Sequence, residues 1–159
     1  MDTLRARIAR EKDFSERQQQ ILFGSLLGDG FLPATTRGHQ FRVNHCLEQK
    51  DYLDWKYREL KEFTNSPPAI AGDKSLCFFR IVSHPYLDDL RKLFYPKGLK
   101  IVPVGIEKLM TPLVLSIWFM DDGTKEGNQA RLNSQSFSKS EHENLRNAME
   151  ASLGIKKTI

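Results

Sequence analysis

Two carboxylates, Asp29 and Asp122, occupy the same place in two copies of one pattern, an apolar helical run that ends on Asp-Gly. The first copy is Leu22-Phe23-Gly24-Ser25-Leu26-Leu27-Gly28-Asp29-Gly30, and the second is Leu115-Ser116-Ile117-Trp118-Phe119-Met120-Asp121-Asp122-Gly123. A carboxylate at the C-terminal end of a helix faces the negative end of the macrodipole, which costs up to about 1 kcal/mol unless a cation answers it. One such end is an ordinary helix stop; two in register point to a shared cation site. If the two helices pack side by side through their small residues, Asp29 and Asp122 arrive together, and adjacent carboxylates repel unless a metal bridges them. Hard oxygen ligands with room for water and phosphate suit Mg²⁺ or Mn²⁺. Metal held this way polarises a scissile phosphate, activates a water and stabilises the leaving oxygen, which is phosphodiester hydrolysis. Alignment on the terminal glycine selects Asp122 over Asp121, leaving Asp121 and Gly28 as supporting contributors to the metal.

The elements that must position these groups follow from local signals. Ser15 with Gln18 three positions on forms a capping-box pattern that starts the first motif helix. In that helix Ile21, Leu22, Leu26 and Leu27 supply apolar surface, while Gly24 and Gly28 share one face and allow another backbone to approach. Gly30 stops it, and Thr35-Thr36-Arg37-Gly38 reads as a polar turn between two short extended segments. From His39 to His45 apolar Phe41 and Val43 alternate with Gln40, Arg42 and Asn44, the period of a half-buried strand. Glu48 to Phe63 is amphipathic and helical, and Pro67-Pro68 ends it. A weak strand at 69–71, the turn Gly72-Asp73-Lys74 and a stronger strand from Leu76 to Ser83 make a second hairpin.

Pro85 to Phe94 reads as a short helix and Lys100 to Pro103 as a connection. Thr111 and Pro112 open the second motif helix as N-cap and first helical residue. Arg131 to Phe137 is expected as a strand, after which Ser138 and Glu141 cap a final helix that Gly154 closes. The reading is an α+β fold of two pseudo-repeated halves packed through the motif helices. Residues 1–14 form a charged, frayed lead-in, 15–110 the first half with its connector, and 111–159 the second half. That second half reads as partial, because the hairpin and helix that would complete it do not follow by Lys157, and unpaired strand edges could then meet another chain.

Composition sets the bounds. In 159 residues, 40% hydrophobic content is enough for a core, and 24 Lys+Arg against 20 Asp+Glu leave a net charge of +4, compatible with a polyanionic partner. Cys46 and Cys77 belong to no CxxC pair, which argues against a zinc site or a disulfide framework. His39, His45, His84 and His142 show no ligand spacing and are read as structural or DNA-adjacent. No apolar run reaches the ~18 residues of a membrane span. The expectation is a soluble intracellular protein of the cytoplasm or an organellar matrix, with no membrane partner.

The repeated nine-residue pattern resembles the LAGLIDADG motif of homing endonucleases. The likeness extends to Phe41-Arg42-Val43-Asn44-His45 with Gln49-Lys50-Asp51-Tyr52-Leu53-Asp54-Trp55, to Thr111-Pro112 ahead of the second motif, and to Leu132-Asn133-Ser134-Gln135-Ser136-Phe137-Ser138. It covers roughly residues 15 to 154, and several motifs in order make it specific to single-chain, intron-encoded members. The resemblance implies a site-specific, Mg²⁺-dependent endonuclease that cuts both strands of double-stranded DNA in intron homing, working as a monomer because both motifs lie in one chain. It places Asp29 and Asp122 as metal-binding catalytic carboxylates. Lys100, ahead of Ile101-Val102-Pro103, matches the basic pocket residue that orients the attacking water. Antiparallel sheets would read the major groove, with Arg42 addressing guanine and Gln40 and Asn44 adenine. Arg37, Lys74, Arg80, Arg131, Asn133 and Gln135 extend that face by position. The alternatives are an intron RNA maturase, which the family includes, and an inactive truncated remnant.

Overall fold

Capping signals and hydrophobic period set the order of elements in the computed structural model of the protein, which describes residues 3–155. The elements are α1 (Leu4–Arg10), α2 (Glu16–Leu27), β1 (Ala34–Thr35), β2 (Gly38–His39), β3 (Phe41–Cys46), α3 (Lys50–Leu60), β4 (Ala69–Ile70), β5 (Leu76–Ile81), α4 (Pro85–Phe94), α5 (Pro112–Asp122), β6 (Gly123–Glu126), β7 (Gln129–Leu132) and α6 (Lys139–Leu153). The chain divides into two compact units, one built from residues up to Gln19 and Asp29–Lys92, the other from Gln20–Gly28 and the chain from Leu93 on. The stretch around Lys157, where the sequence reading expects the repeat to stop, lies outside the described residues. Among the described residues no helix is long and apolar enough to cross a membrane.

In the first unit β3, β5 and β4 form an antiparallel sheet in that order, with Phe41 opposite Ile81, Val43 opposite Phe79 and His45 opposite Cys77. Because side chains alternate, these six face the core and are buried, while Arg42, Asn44, Phe78 and Arg80 share the outward face. α3 packs on the sheet and buries Leu53, Lys56 and Leu60, a stripe at helical spacing. Phe14 stacks on Phe63 with ring centroids 3.8 Å apart, closing that end of the core. The charged N-terminal stretch is not frayed, contrary to the sequence expectation: Thr3 caps α1 by accepting from the Ala6 N–H, and Ala6 and Ala9 are buried. Alternating charges hid an alanine stripe.

In the second unit the C-terminal part of α2 lies against α5. A Cβ added at Gly24 would sit 2.7 Å from the Val114 carbonyl oxygen and 2.8 Å from Ile117 Cβ, so this close approach requires glycine. Thr111 caps α5 through the Val114 N–H, and its hydroxyl donates to the Gln20 side chain at 2.9 Å. α6 opens with a complete capping box between Ser138 and Glu141. The second correction concerns the expected strand from Arg131 to Phe137. Strand pairing ends at Leu132, and its partner is β6, with Glu126 opposite Gln129 across a two-residue turn in which Gly127 takes φ +58°.

Candidate functional site

Both motif helices end in the second unit. α2 stops at Leu27, and the Gly28 N–H is shared between the Gly24 and Ser25 carbonyls at 3.2 Å, a tightened last turn. Lys100 Nζ donates to the Gly28 carbonyl at 2.9 Å, so a cation meets the negative end of the helix. A Cβ at Gly28 would fall 2.5 Å from Asp121 Cβ, which places the Asp121 side chain directly over that glycine. Asp122 ends α5, and its carbonyl accepts from the Asn133 N–H at 2.9 Å. Gly123 is needed for packing, since a Cβ there would lie 2.2 Å from the Phe119 ring. Asp121 and Asp122 are both half-buried.

Asp29 begins the return into the first unit. Two residues on, Phe31 exchanges both backbone hydrogen bonds with Arg42 at 2.9 Å, which pins the chain to β3. The Asp29 carboxylate, 38% exposed, thereby lies with Oδ2 3.2 Å from His45 Nδ1. His45 is 2% exposed and Lys56 wholly buried, with His45 Nε2 3.3 Å from Lys56 Nζ. Sequence reasoning took His45 only as structural or DNA-adjacent and gave Lys56 no role of its own. The signal was present, because His45 falls in the apolar phase of Phe41 and Val43, and Lys56 falls in the apolar stripe of Leu53 and Leu60.

The candidate DNA-reading residues spread over both units. On the outward face of the first unit's sheet Arg42 lies opposite Arg80; its guanidinium donates to Asn44 Oδ1 at 3.1 Å and sits 4.4 Å from the Phe78 ring. Gln40 links β2 to β3, and its N–H donates to the Pro33 carbonyl. Arg37 is exposed in the β1–β2 turn and Lys74 in the β4–β5 turn at φ +58°. In the second unit Arg131 is paired with Glu126 at 2.9 Å, Asn133 donates to the Thr124 hydroxyl at 3.0 Å, and Gln135 is exposed beyond β7.

Known proteins share this architecture. The chain is 38% identical over 113 residues to a protein RecA from Mycolicibacterium flavescens, a match over 69% of this chain and 26% of that protein, so it spans about a quarter of that relative's length. It is 29% identical over 167 residues to DNA endonuclease I-ChuI of Chlamydomonas applanata, covering 91% of this chain and 77% of that one. The solved structure of the homing endonuclease I-WcaI bound to its DNA recognition sequence superposes with a TM-score of 0.83 at 23% identity, over 96% of this chain and 75% of the other, which establishes the fold. Residues 19–159, taking in both Asp-Gly motifs, match the family model of the LAGLIDADG DNA endonucleases, and the chain belongs to that family.

Proposed function

We propose that the chain is a site-specific, divalent-metal-dependent endonuclease acting on double-stranded DNA. The observation that carries this reading is the close packing of α2 on α5 through Gly24 and Gly28, two apolar helices that each run into an Asp-Gly. The donor set fits Mg²⁺ or Mn²⁺: Asp29 is open enough to keep waters on a metal, and the carboxylates and the Gly28 carbonyl are hard oxygens. Asp29 and Asp122 would hold the metal, with Asp121 and Gly28 supporting. A bound metal supplies polarisation of the scissile phosphate and an activated water.

Lys100 anchors the end of α2 through Gly28, and in the same position its ammonium would orient water and offset developing phosphate charge. The outward sheet face supports a polyanionic partner. Arg42 directly opposite Arg80 is a cross-strand like-charge pair, a placement that destabilises a sheet unless an anion answers it. Gln40 and Asn44 flank Arg42 with amide groups suited to adenine. Arg37, Lys74, Arg131, Asn133 and Gln135 are the outlying contacts.

The test is to incubate the protein with a randomised double-stranded DNA library and Mg²⁺ and to sequence the cut ends. A single recurrent site is expected, with cleavage lost on chelation and reduced at least about 100-fold by Asp29→Asn or Asp122→Asn, more than the 10- to 100-fold typical of groups behind a metal ligand. Selective binding of an intron RNA that is indifferent to Asp29→Asn, with no Mg²⁺-dependent cutting, would overturn this reading in favour of a maturase.

A further inference from the structure

The sheet of the first unit carries more apolar surface than its core uses. Phe41, Val43, Phe79 and Ile81 already fill the buried face, and the other face of an antiparallel sheet is ordinarily polar. Strand register divides that outward face into three rows: Arg42 opposite Arg80, Asn44 opposite Phe78 with Ala69 on the far side of Phe78, and Cys46 opposite Leu76. Leu76 is 40% exposed, Ala69 and Cys46 are exposed, and Phe78 is half-buried beside the Arg42 guanidinium. Basic at one end and apolar at the other, the face fits a partner that offers negative charge and exposed methyl groups together. The like-charged Arg42–Arg80 row calls for a polyanion, and double-stranded DNA presents a methyl group in its major groove at every thymine. RNA, with uracil in place of thymine, does not.

We propose that Phe78 and Leu76 are specificity-determining residues that read thymine by its 5-methyl group. This inference rests on the reading of double-stranded DNA as the partner of this sheet. A major groove about 12 Å wide admits a two-stranded ribbon, and an A·T pair shows there the N7 and N6 amine of adenine beside the O4 and methyl of thymine. Asn44 and Phe78 are a cross-strand pair, a placement that sets Cβ atoms about 5 Å apart. The Asn44 amide takes the adenine edge, since its Oδ1 keeps one lone pair beyond the Arg42 N–H, and Phe78 meets the methyl of the paired thymine. One pair of side chains thereby reads both halves of one base pair. A G·C pair in that place sets the cytosine amine against the phenyl ring, with no acceptor. Residues two apart on a strand are separated by about 6.6 Å, close to two base-pair rises of about 3.4 Å. The Leu76 row therefore meets a second thymine about two base pairs from the first, on the side away from the arginines.

The experiment uses the full chain and a site selected by binding from randomised double-stranded DNA, with each thymine of that site replaced in turn by deoxyuridine. The replacement keeps every hydrogen-bonding group of the base and removes only the methyl. Fluorescence anisotropy should show two thymines, about two base pairs apart, at which loss of the methyl raises Kd about fourfold, the worth of one buried methyl group. Phe78→Ala should abolish the thymine preference at the first position and keep it at the second, and Leu76→Ala should do the reverse. Phe78→Leu, which keeps an apolar group but removes the ring beside Arg42, should retain the preference. A phenylalanine that serves only to hold Arg42 predicts otherwise: Phe78→Ala then weakens binding to thymine and deoxyuridine DNA by the same factor, and that result overturns the proposal. So does a selected site without thymines at this spacing. If the chain selects and binds a site but does not cut it with Mg²⁺, the endonuclease reading fails while this proposal stands. If it cuts its site and deoxyuridine costs nothing at any position, only this proposal fails, and selection of no site overturns both.

Discussion

At the scale of single residues, the motif is an arrangement of missing side chains as much as of carboxylates. Gly24 brings α2 against the Val114 carbonyl and Ile117, and Gly28 leaves the space that Asp121 fills. The Val114 oxygen is backbone of a capped helix and cannot step aside as the tip of a flexible side chain would. Gly24→Ala gains about 1 kcal/mol of helix propensity in an isolated helix. Here it should nevertheless destabilise the protein by about 1–3 kcal/mol, because overpacking a close contact outweighs propensity. Urea denaturation monitored by far-UV circular dichroism measures this, and a midpoint that rises instead would show that the helices can separate without cost.

At the scale of elements, α6 is tied to the chain before it by one glutamate. Glu141 Oε2 accepts from the Ser138 N–H at 2.7 Å and Oε1 from the Val102 N–H at 2.8 Å. Burial pushes this carboxyl up, but the Ser138 and Val102 hydrogen bonds outweigh it and hold it below the ordinary glutamate value of 4.5. Glu62, held down by Gln18 and Lys12, and Glu59, held down by Arg17, shift the same way. A depressed carboxyl contributes stability above its unfolded value and loses it as pH falls through the folded value. The unfolding free energy should therefore be steady near neutrality and decline below about pH 4.5, and Glu141→Gln should flatten part of that decline in urea titrations at a series of pH values.

The same helix shows why much of the fold was legible: Ser138, Glu141, Thr111 and Pro112 are local signals, and α5 and α6 begin where they indicate. The β6–β7 hairpin was misread because its residues are exposed on both faces, so no apolar alternation marks it, and only Gly127-Asn128 announces the turn. At the candidate site, motif order alone nominates Asp29 and Asp122. The His45–Lys56 contact was hidden because it joins a strand to a helix, which no local pattern encodes.

At the scale of the whole molecule, the proposed function asks more of charge placement than of total charge, since a net charge of +4 over 159 residues is too small to drive tight binding to DNA by itself. Arg80 and Arg131 make the contrast. Arg80 is exposed on a strand whose neighbour presents Arg42, whereas Arg131 is neutralised by Glu126 at 2.9 Å. Displacing counterions from phosphates makes log K fall linearly with log salt, and each lost phosphate contact lowers the slope by about 1. Arg80→Ala should therefore reduce the slope by about 1 and weaken binding evenly across sequences, while Arg131→Ala should change it less. Arg42 is held by Asn44 and packed on Phe78, an oriented fork suited to one guanine. Arg42→Ala should cost about 1–3 kcal/mol on the preferred site and relax its preference at one position. Binding isotherms over a salt series, on the selected site and on scrambled DNA, separate the two effects. Equal losses for Arg42→Ala on both DNAs would reduce that residue to a phosphate contact.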